Sequence, residues 1–446
     1  MSEQQFSYRR EYLAGLAQQV LDHARRLGAT ACETDVSEGF GQSVTARKQT
    51  VETIEFNKDK GIGVSVYLGQ RRGHASTSDF GREAIEATVN AALSIARFTA
   101  EDSCAGLPDE QLLAKHELAL NLYYPWDLSV EHAIELACRC EQAAFDVSPM
   151  ITNTEGASVS VQQSHFVSAN SLGFVGGYAT SRHYLSCAPI AGKGQDMQRD
   201  DWYSGQRDPR DLASPEAIGD YAARRTLARL GARKLKTRKV PVLFEAPLAT
   251  GLIGSFVHAV SGGSLYRKSS FLPDSLGQRV FPDFFAISER PHIAKGLASS
   301  PFDDDGVATR DREVVADGIV QGYFLSTYSA RKLGMATTGN AGGSHNLLVR
   351  SGPDDLAGLL RQMGTGLFVT ELLGHGINYV TGDYSRGAAG YWVEGGELAY
   401  PVHEITIAGN LKDMFGSIVA VGNDVVVRGS KQVGSILMEG LTVAGN

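Results

Sequence analysis

Apolar side chains between residues 8 and 27 (Leu13, Leu16, Ala17, Val20, Leu21, Ala24 and Leu27) recur at helical spacing, and after Gly28 the period drops to two. A spacing of 3.6 gathers one stripe on a helix, whereas a spacing of 2 sorts alternate residues to opposite faces of a strand. The chain therefore opens as an amphipathic helix laid on a sheet, with Gly28 at the position of a helix cap. Alternating runs at 31–38, 42–48, 51–56, 61–68 and 74–78, with a turn at Gly69-Gln-Arg-Arg72, predict an antiparallel meander of hairpins. Helical spacing returns over 81–97 through Ile85, Val89, Ala92, Leu93 and Ala96.

A second round follows, with a helix over 129–145 and alternating strands over 150–190, which points to a repeated helix-plus-meander unit. A third helix, over 214–230, runs into eight basic residues (Arg224, Arg225, Arg229, Arg233, Lys234, Lys236, Arg238 and Lys239) with no acid among them. This strip is either a phosphate-binding surface or a solvated helix face entering a linker. The second reading is preferred, because no aromatic side chains are interleaved to stack bases. Beyond Val240 the texture changes to a strand at 241–244, a buried-looking helix at 247–260, glycine-punctuated strands and a helix near 353–363. The expected fold class is α+β in two domains: residues 1–235, built of helix-plus-meander units, and residues 236–446, a glycine-rich, mostly antiparallel β domain.

The fifty glycines, about 11% of the chain against a usual ~7%, have no period and so mark turns and close backbone approaches. A net charge of -8 argues against nucleic acid or anionic lipid as a partner. The absence of an export signal in the opening residues and of a long apolar run predicts a cytoplasmic chain with no membrane span. Cys32, Cys104, Cys138, Cys140 and Cys187 are odd in number and irregularly spaced, which suits a reducing compartment.

Several short motifs fail on inspection. If Gly306 of Asp303-Asp304-Asp305-Gly306 is set at the sixth position of a calcium loop, the first and twelfth positions are Pro301 and Arg312. An acidic turn is expected instead. Gly374-His375-Gly376 lacks the third glycine of a dinucleotide fingerprint, since Tyr379 occupies its place. Asp79-Phe80-Gly81 stands without the other elements of a kinase, and Ser329-Ala-Arg-Lys332 lacks a following Lys-Thr-Gly. His403-Glu404 starts like a zinc-peptidase helix, but Ile407 holds the position of the second histidine and the alternation of Val402, Ile405 and Ile407 predicts a strand. His258, on the helix at 247–260, is expected to be a core or interface histidine.

Longer phrases carry a family resemblance: Gly262-Gly-Ser-Leu-Tyr-Arg-Lys-Ser269, Gly296-Leu-Ala-Ser-Ser-Pro-Phe-Asp303, Thr327-Tyr-Ser-Ala-Arg-Lys-Leu-Gly334, Gly382-Asp-Tyr-Ser-Arg-Gly-Ala-Ala-Gly390 and Glu404-Ile-Thr-Ile-Ala-Gly-Asn-Leu-Lys-Asp413. Asn57–Tyr67 and Ile151-Thr-Asn-Thr-Glu-Gly156 extend it into the N-terminal half. Together they resemble the PmbA/TldE branch of the modulator-of-DNA-gyrase family, which is paired with a TldD branch. The resemblance implies a cytosolic proteolytic complex whose TldD-like subunit is a zinc metallopeptidase acting on unfolded or peptide substrates, in peptide-antibiotic maturation and antitoxin turnover. That branch carries His-Glu-x-x-x-His on a helix and a distant cysteine, which supply two imidazoles, a thiolate and a base for metal-bound water.

This chain departs from that pattern. Anchored on Arg267-Lys268, the histidine positions fall on Gly254 and Ala259 and the glutamate position on Ser255, with His258 one residue out of register. No cysteine follows residue 187. The resemblance thus implies a subunit with no catalytic residue, metal ligand or cofactor of its own, completed by a TldD-like partner that holds the zinc, and able to form a homodimer when alone. A substrate-groove or interface surface is expected at His258, His375, Asp383, Tyr384 and Arg386. Two other readings stand beside this one: a self-sufficient peptidase drawing on His345, His375, His403 or Glu404, and a protein that regulates gyrase by direct contact.

Overall fold

In a computed structural model, which describes residues 6–445, the chain first builds α1 (Arg10–Arg26), β1 (Ala31–Arg47), β2 (Thr50–Leu68), β3 (Arg71–Thr77) and α2 (Arg82–Phe98). There follow α3 (Val130–Val147), β4 (Ile151–Asn170), β5 (Val175–Gly176), β6 (Ala179–Ala191), β7 (Gln198–Arg199), β8 (Trp202–Gln206) and α4 (Pro215–Ala228). All eight strands share one sheet along the path β3-β2-β1-β4-β6-β7, with β5 on β4 and β8 on β6. The two rounds of helix, strands and helix meet where β1 pairs antiparallel with β4.

The helices cover one face of this sheet. Leu13, Ala17, Val20 and Leu93 seal Val36, Ile62 and Val64 beneath α1 and α2, while Ala137, Cys140, Ala144 and Ile218 seal Val44, Val159 and Leu185 beneath α3 and α4. Burying each valine, leucine or isoleucine among these stabilises the fold by about 1.5–3 kcal/mol.

The strands are longer than the sequence periodicity predicts. The runs at 31–38 and 42–48 form one strand, as do those at 51–56 and 61–68, because the register from Ala31↔Tyr67 to Arg47↔Thr50 breaks only at a bulge beside Thr45/Ala46. Residues 50–60 of β2 are exposed throughout, so no alternation of burial signals their strand character in the sequence.

The C-terminal half comprises β9 (Arg238–Phe244), α5 (Ala246–Ala259), α6 (Gly262–Tyr266), β10 (Ile287–Glu289), β11 (Arg312–Ala316), β12 (Ile319–Val320), α7 (Thr327–Leu333) and β13 (Leu347–Val349). It continues with α8 (Leu356–Met363), β14 (Gly366–Leu373), β15 (Asp383–Glu394), β16 (Glu397–Asn410), α9 (Leu411–Gly416), β17 (Ile418–Val421), β18 (Lys431–Gln432) and β19 (Ile436–Ala444). A five-stranded sheet runs β12-β11-β10-β13-β18 and a six-stranded one β16-β15-β14-β9-β19-β17. Because β16 also pairs with β19, five strands of the larger sheet close into a ring. Phe244, Phe256, Phe281, Phe285 and Phe415 fill the core between this ring and α5. The chain is α+β.

Two residues of the basic strip are not solvated, as the sequence reading had them. Arg225 grips Glu245 at the start of α5, with Nη1–Oε1 at 2.5 Å and Nη2–Oε2 at 3.1 Å. Arg229 pairs with Glu371 of β14, and both arginines lie within 3.6 Å of Asp200. Burial in that carboxylate-rich seam changes their role from solvated face to clamp between the two halves. Arg207 adds a second clamp, donating from Nε to the Gly296 carbonyl at 2.9 Å and from Nη2 to that of Leu297 at 3.0 Å. No helix among the described residues is long and apolar enough to cross a membrane.

Candidate functional site

α5 begins beside the clamped Glu245 and turns Leu252, Ile253, Ser255, Phe256 and Ala259 into the core. Ser255 returns its hydroxyl to the Gly251 carbonyl at 3.1 Å, and Ala259 is fully buried. Gly254 faces outward, and the Lys431 stem packs beside it. A Cβ at 254 would meet Cε of Lys431, from β18, at 3.7 Å. Burial pushes the Lys431 ammonium below the ordinary lysine range, with no charged neighbour offsetting the shift. The positions expected for two imidazoles and a carboxylate thus present a glycine, a methyl group in the core and a hydroxyl spent on the helix backbone. The lysine stem lies beside the first of them, Gly254.

His258, expected in the core or at an interface, is exposed at the surface and so is not a core residue. The register of α5 turns it outward, where its ring leans on Tyr379 with centroids 4.0 Å apart. Burial, and then the nearby Arg267 cation, hold its imidazole below the ordinary histidine range. Tyr379 belongs to the β14–β15 connection, which also carries the exposed His375 and folds back through Ser385 N–H to the Gly376 carbonyl at 2.7 Å. Asp383 opens β15 and accepts from the Thr381 hydroxyl at 2.6 Å. Tyr384 is buried, its hydroxyl has no hydrogen-bond partner, and burial pushes its pKa up to about 12. Arg386 donates to the Leu372 carbonyl at 3.3 Å. Asp383, Tyr384 and Arg386 therefore share the start of β15, close to the connection that reaches His258 through Tyr379. They form no proton-relay pair.

The remaining candidates are dispersed. His345 is buried, with Nε2 beside the Gly339 carbonyl at 2.9 Å. Glu404 pairs at the surface with Lys234 at 2.7 Å. The Ser329 hydroxyl completes a cap with Ser326 at the start of α7, and Lys332 pairs instead with Asp102 at 2.9 Å. Asp303 closes an acidic turn, as expected, by accepting the N–H groups of Asp305, Val307 and Ala341. Among the described residues, no three histidine, cysteine, aspartate or glutamate side chains converge as a metal ion requires.

The sequence reading missed a recess between the two halves. The sheet face opposite the helices carries Asp35, Ser37, Gly39, Gly61, Ser164 and Ser168, and with Ser300, Asp303 and Asp304 from the C-terminal half it bounds a cavity of about 720 Å³. Small polar residues at alternate positions were the available signal. Only the fold shows that they face a second wall.

Models of the PmbA/TldA metallopeptidase domain 1, central domain and C-terminal domain match residues 32–96, 123–230 and 237–445. The chain is 51% identical to the metalloprotease PmbA of Escherichia coli O157:H7 across 93% of this chain and 92% of that one. It is 49% identical to a PmbA homologue of Haemophilus influenzae, covering 95% and 94%. A candidate modulator of DNA gyrase from Bacteroides thetaiotaomicron, solved by crystallography, superposes with a TM-score of 0.92 at 28% identity, over 97% of this chain and 99% of that one. The long collinear identity to PmbA proteins, together with the three matched domains, makes this chain a member of the PmbA/TldD family.

Proposed function

We propose that this chain is the non-catalytic subunit of a two-subunit zinc peptidase of the PmbA/TldD family, in which a TldD-like paralogue holds the metal and this chain completes the chamber. The relatives named above are called metalloproteases, yet the residues of this α5 do not fit a zinc ion. Gly254 and Ala259 offer no lone pair, Ser255 is committed to Gly251, and the Lys431 cation adjoins the same surface. Catalysis by metal-bound water needs about three protein ligands and a base, and the observation carrying the reading is that α5 offers a single imidazole, His258, one residue out of register, with no group of three ligating side chains among the described residues.

The positive role is geometric. The polar sheet face and the loop at 300–304 wall a recess of about 720 Å³, and small side chains on that face let an extended peptide lie close over the sheet. Unfolded or peptide segments are the substrates that suit such a wall.

The test is a cleavage assay on an unfolded peptide, using this chain alone, the paralogue alone and the two together, each with and without a chelator. Cleavage only when the paralogue is present, lost on chelation, is the expected result. Chelator-resistant cleavage by this chain alone would overturn the reading and favour a self-sufficient peptidase.

A further inference from the structure

The helix-covered face of the N-terminal sheet has a gap between the α1/α2 cluster and the α3/α4 cluster, and a cavity of about 460 Å³ opens there. Phe40, Phe56 and Trp126 supply aromatic walls, and Gln42 and Gln163 lie at the strands beneath. β1 and β4 pair Phe40 with Gln163 and Gln42 with Val161, so the two glutamines are diagonal neighbours on one face.

Each amide leaves one buried atom unpaired. Gln163 is only 3% exposed, and its Oε1 has no hydrogen-bond partner; neither has Nε2 of Gln42. A buried polar atom left unpaired forfeits its hydration without return, and such atoms are uncommon enough to require an explanation. Here one donor and one acceptor stand on diagonal neighbours lining a cavity with aromatic walls. That is the complement of a planar carboxamide, which offers one of each. Rotation about the terminal torsion of each glutamine, which is broad and soft, is enough to present both groups to the cavity.

The backbone beside the cavity is also unpaired. β2 bonds to β3 only from Ile62 to Leu68. Among the described residues nothing pairs with the outer edge of β2 from Thr53 to Gly61, and Phe56 is 65% exposed there. An extended segment added to such an edge gains main-chain hydrogen bonds along it and drops alternate side chains to one face. A residue placed beside Phe56 reaches the cavity.

We infer that the β2 edge and this cavity form a recognition site for an extended peptide carrying an asparagine or glutamine side chain, whose carboxamide pairs with Gln163 and Gln42 between Trp126 and Phe56. The site lies wholly within this chain and away from α5, so it does not depend on the subunit role proposed above. Its test likewise uses no paralogue and no cleavage.

Three fluorescent, end-capped heptapeptides of threonine and valine, with glutamine, glutamate or leucine at the centre, are titrated with the full chain and followed by anisotropy. The glutamine peptide is expected to bind about tenfold more tightly than the other two, the discrimination of a satisfied over an unsatisfied buried pair. Gln163→Leu is expected to abolish that preference while raising resistance of the ligand-free chain to urea, because an unpaired polar atom is removed. Equal binding of the three peptides overturns the inference. So does loss of urea resistance in Gln163→Leu, which would mean that ordered water already satisfies the amide.

Discussion

Lys431 shows how one side chain replaces a chemistry with an obstruction. Its stem crosses Gly254 at van der Waals distance, and its ammonium titrates below the ordinary lysine value of 10.5 because burial disfavours the charge. The folded chain therefore holds this proton less tightly than the unfolded chain. Stability contributed at this site rises with pH until the ordinary lysine value is passed. Urea midpoints measured from about pH 8 to 10.5 should climb less steeply in Lys431→Met than in the unsubstituted chain. Identical slopes would show that the amine is solvated. None of this is visible in the linear sequence, where Lys431 lies far from α5 and carries no periodic signal. The absence of ligands at Gly254, Ser255 and Ala259 was legible, but what fills the space was not.

At the scale of elements, helices whose apolar stripe meets the sheet were legible because burial and spacing coincide, as in α1 with Leu13, Leu16, Ala17, Val20 and Leu21. β2 was not read as one strand because both faces of residues 50–60 meet solvent, so charged and apolar residues there follow no burial alternation. Arg225 and Arg229 were misread for the opposite reason: their charge suggested solvent, while their partners lie far along the chain. Glycines separate similarly. A Cβ at Gly219 of α4 would fall 2.0 Å from the Cys140 carbonyl of α3, whereas one at Gly15 of α1 meets nothing within 4 Å. Gly219→Ala should destabilise by about 2 kcal/mol through forced helix separation. Gly15→Ala should stabilise by about 0.5–1 kcal/mol through reduced freedom of the unfolded chain. Paired denaturant curves for the two variants check both signs.

Across the whole molecule, the recess between the halves depends on the clamps that fix them. Burial raises the Glu245 carboxyl above its ordinary range and Arg225 opposes that rise, so removing either partner strands a buried charge. Arg225→Met should cost about 3–5 kcal/mol, and adding Glu245→Leu should recover much of it. Urea unfolding of the two variants provides the comparison. The family resemblance already implied a subunit of a peptidase. The fold adds a polar sheet wall facing the 300–304 loop and a closed C-terminal ring, beside an α5 whose sequence lacks the histidine pair and glutamate. These features make the chain's own metal content the most direct measurement. Elemental analysis of the purified full chain, after incubation with zinc and desalting, should find zinc far below one ion per chain. One tightly held zinc per chain, coordinated by its own side chains, would contradict the account.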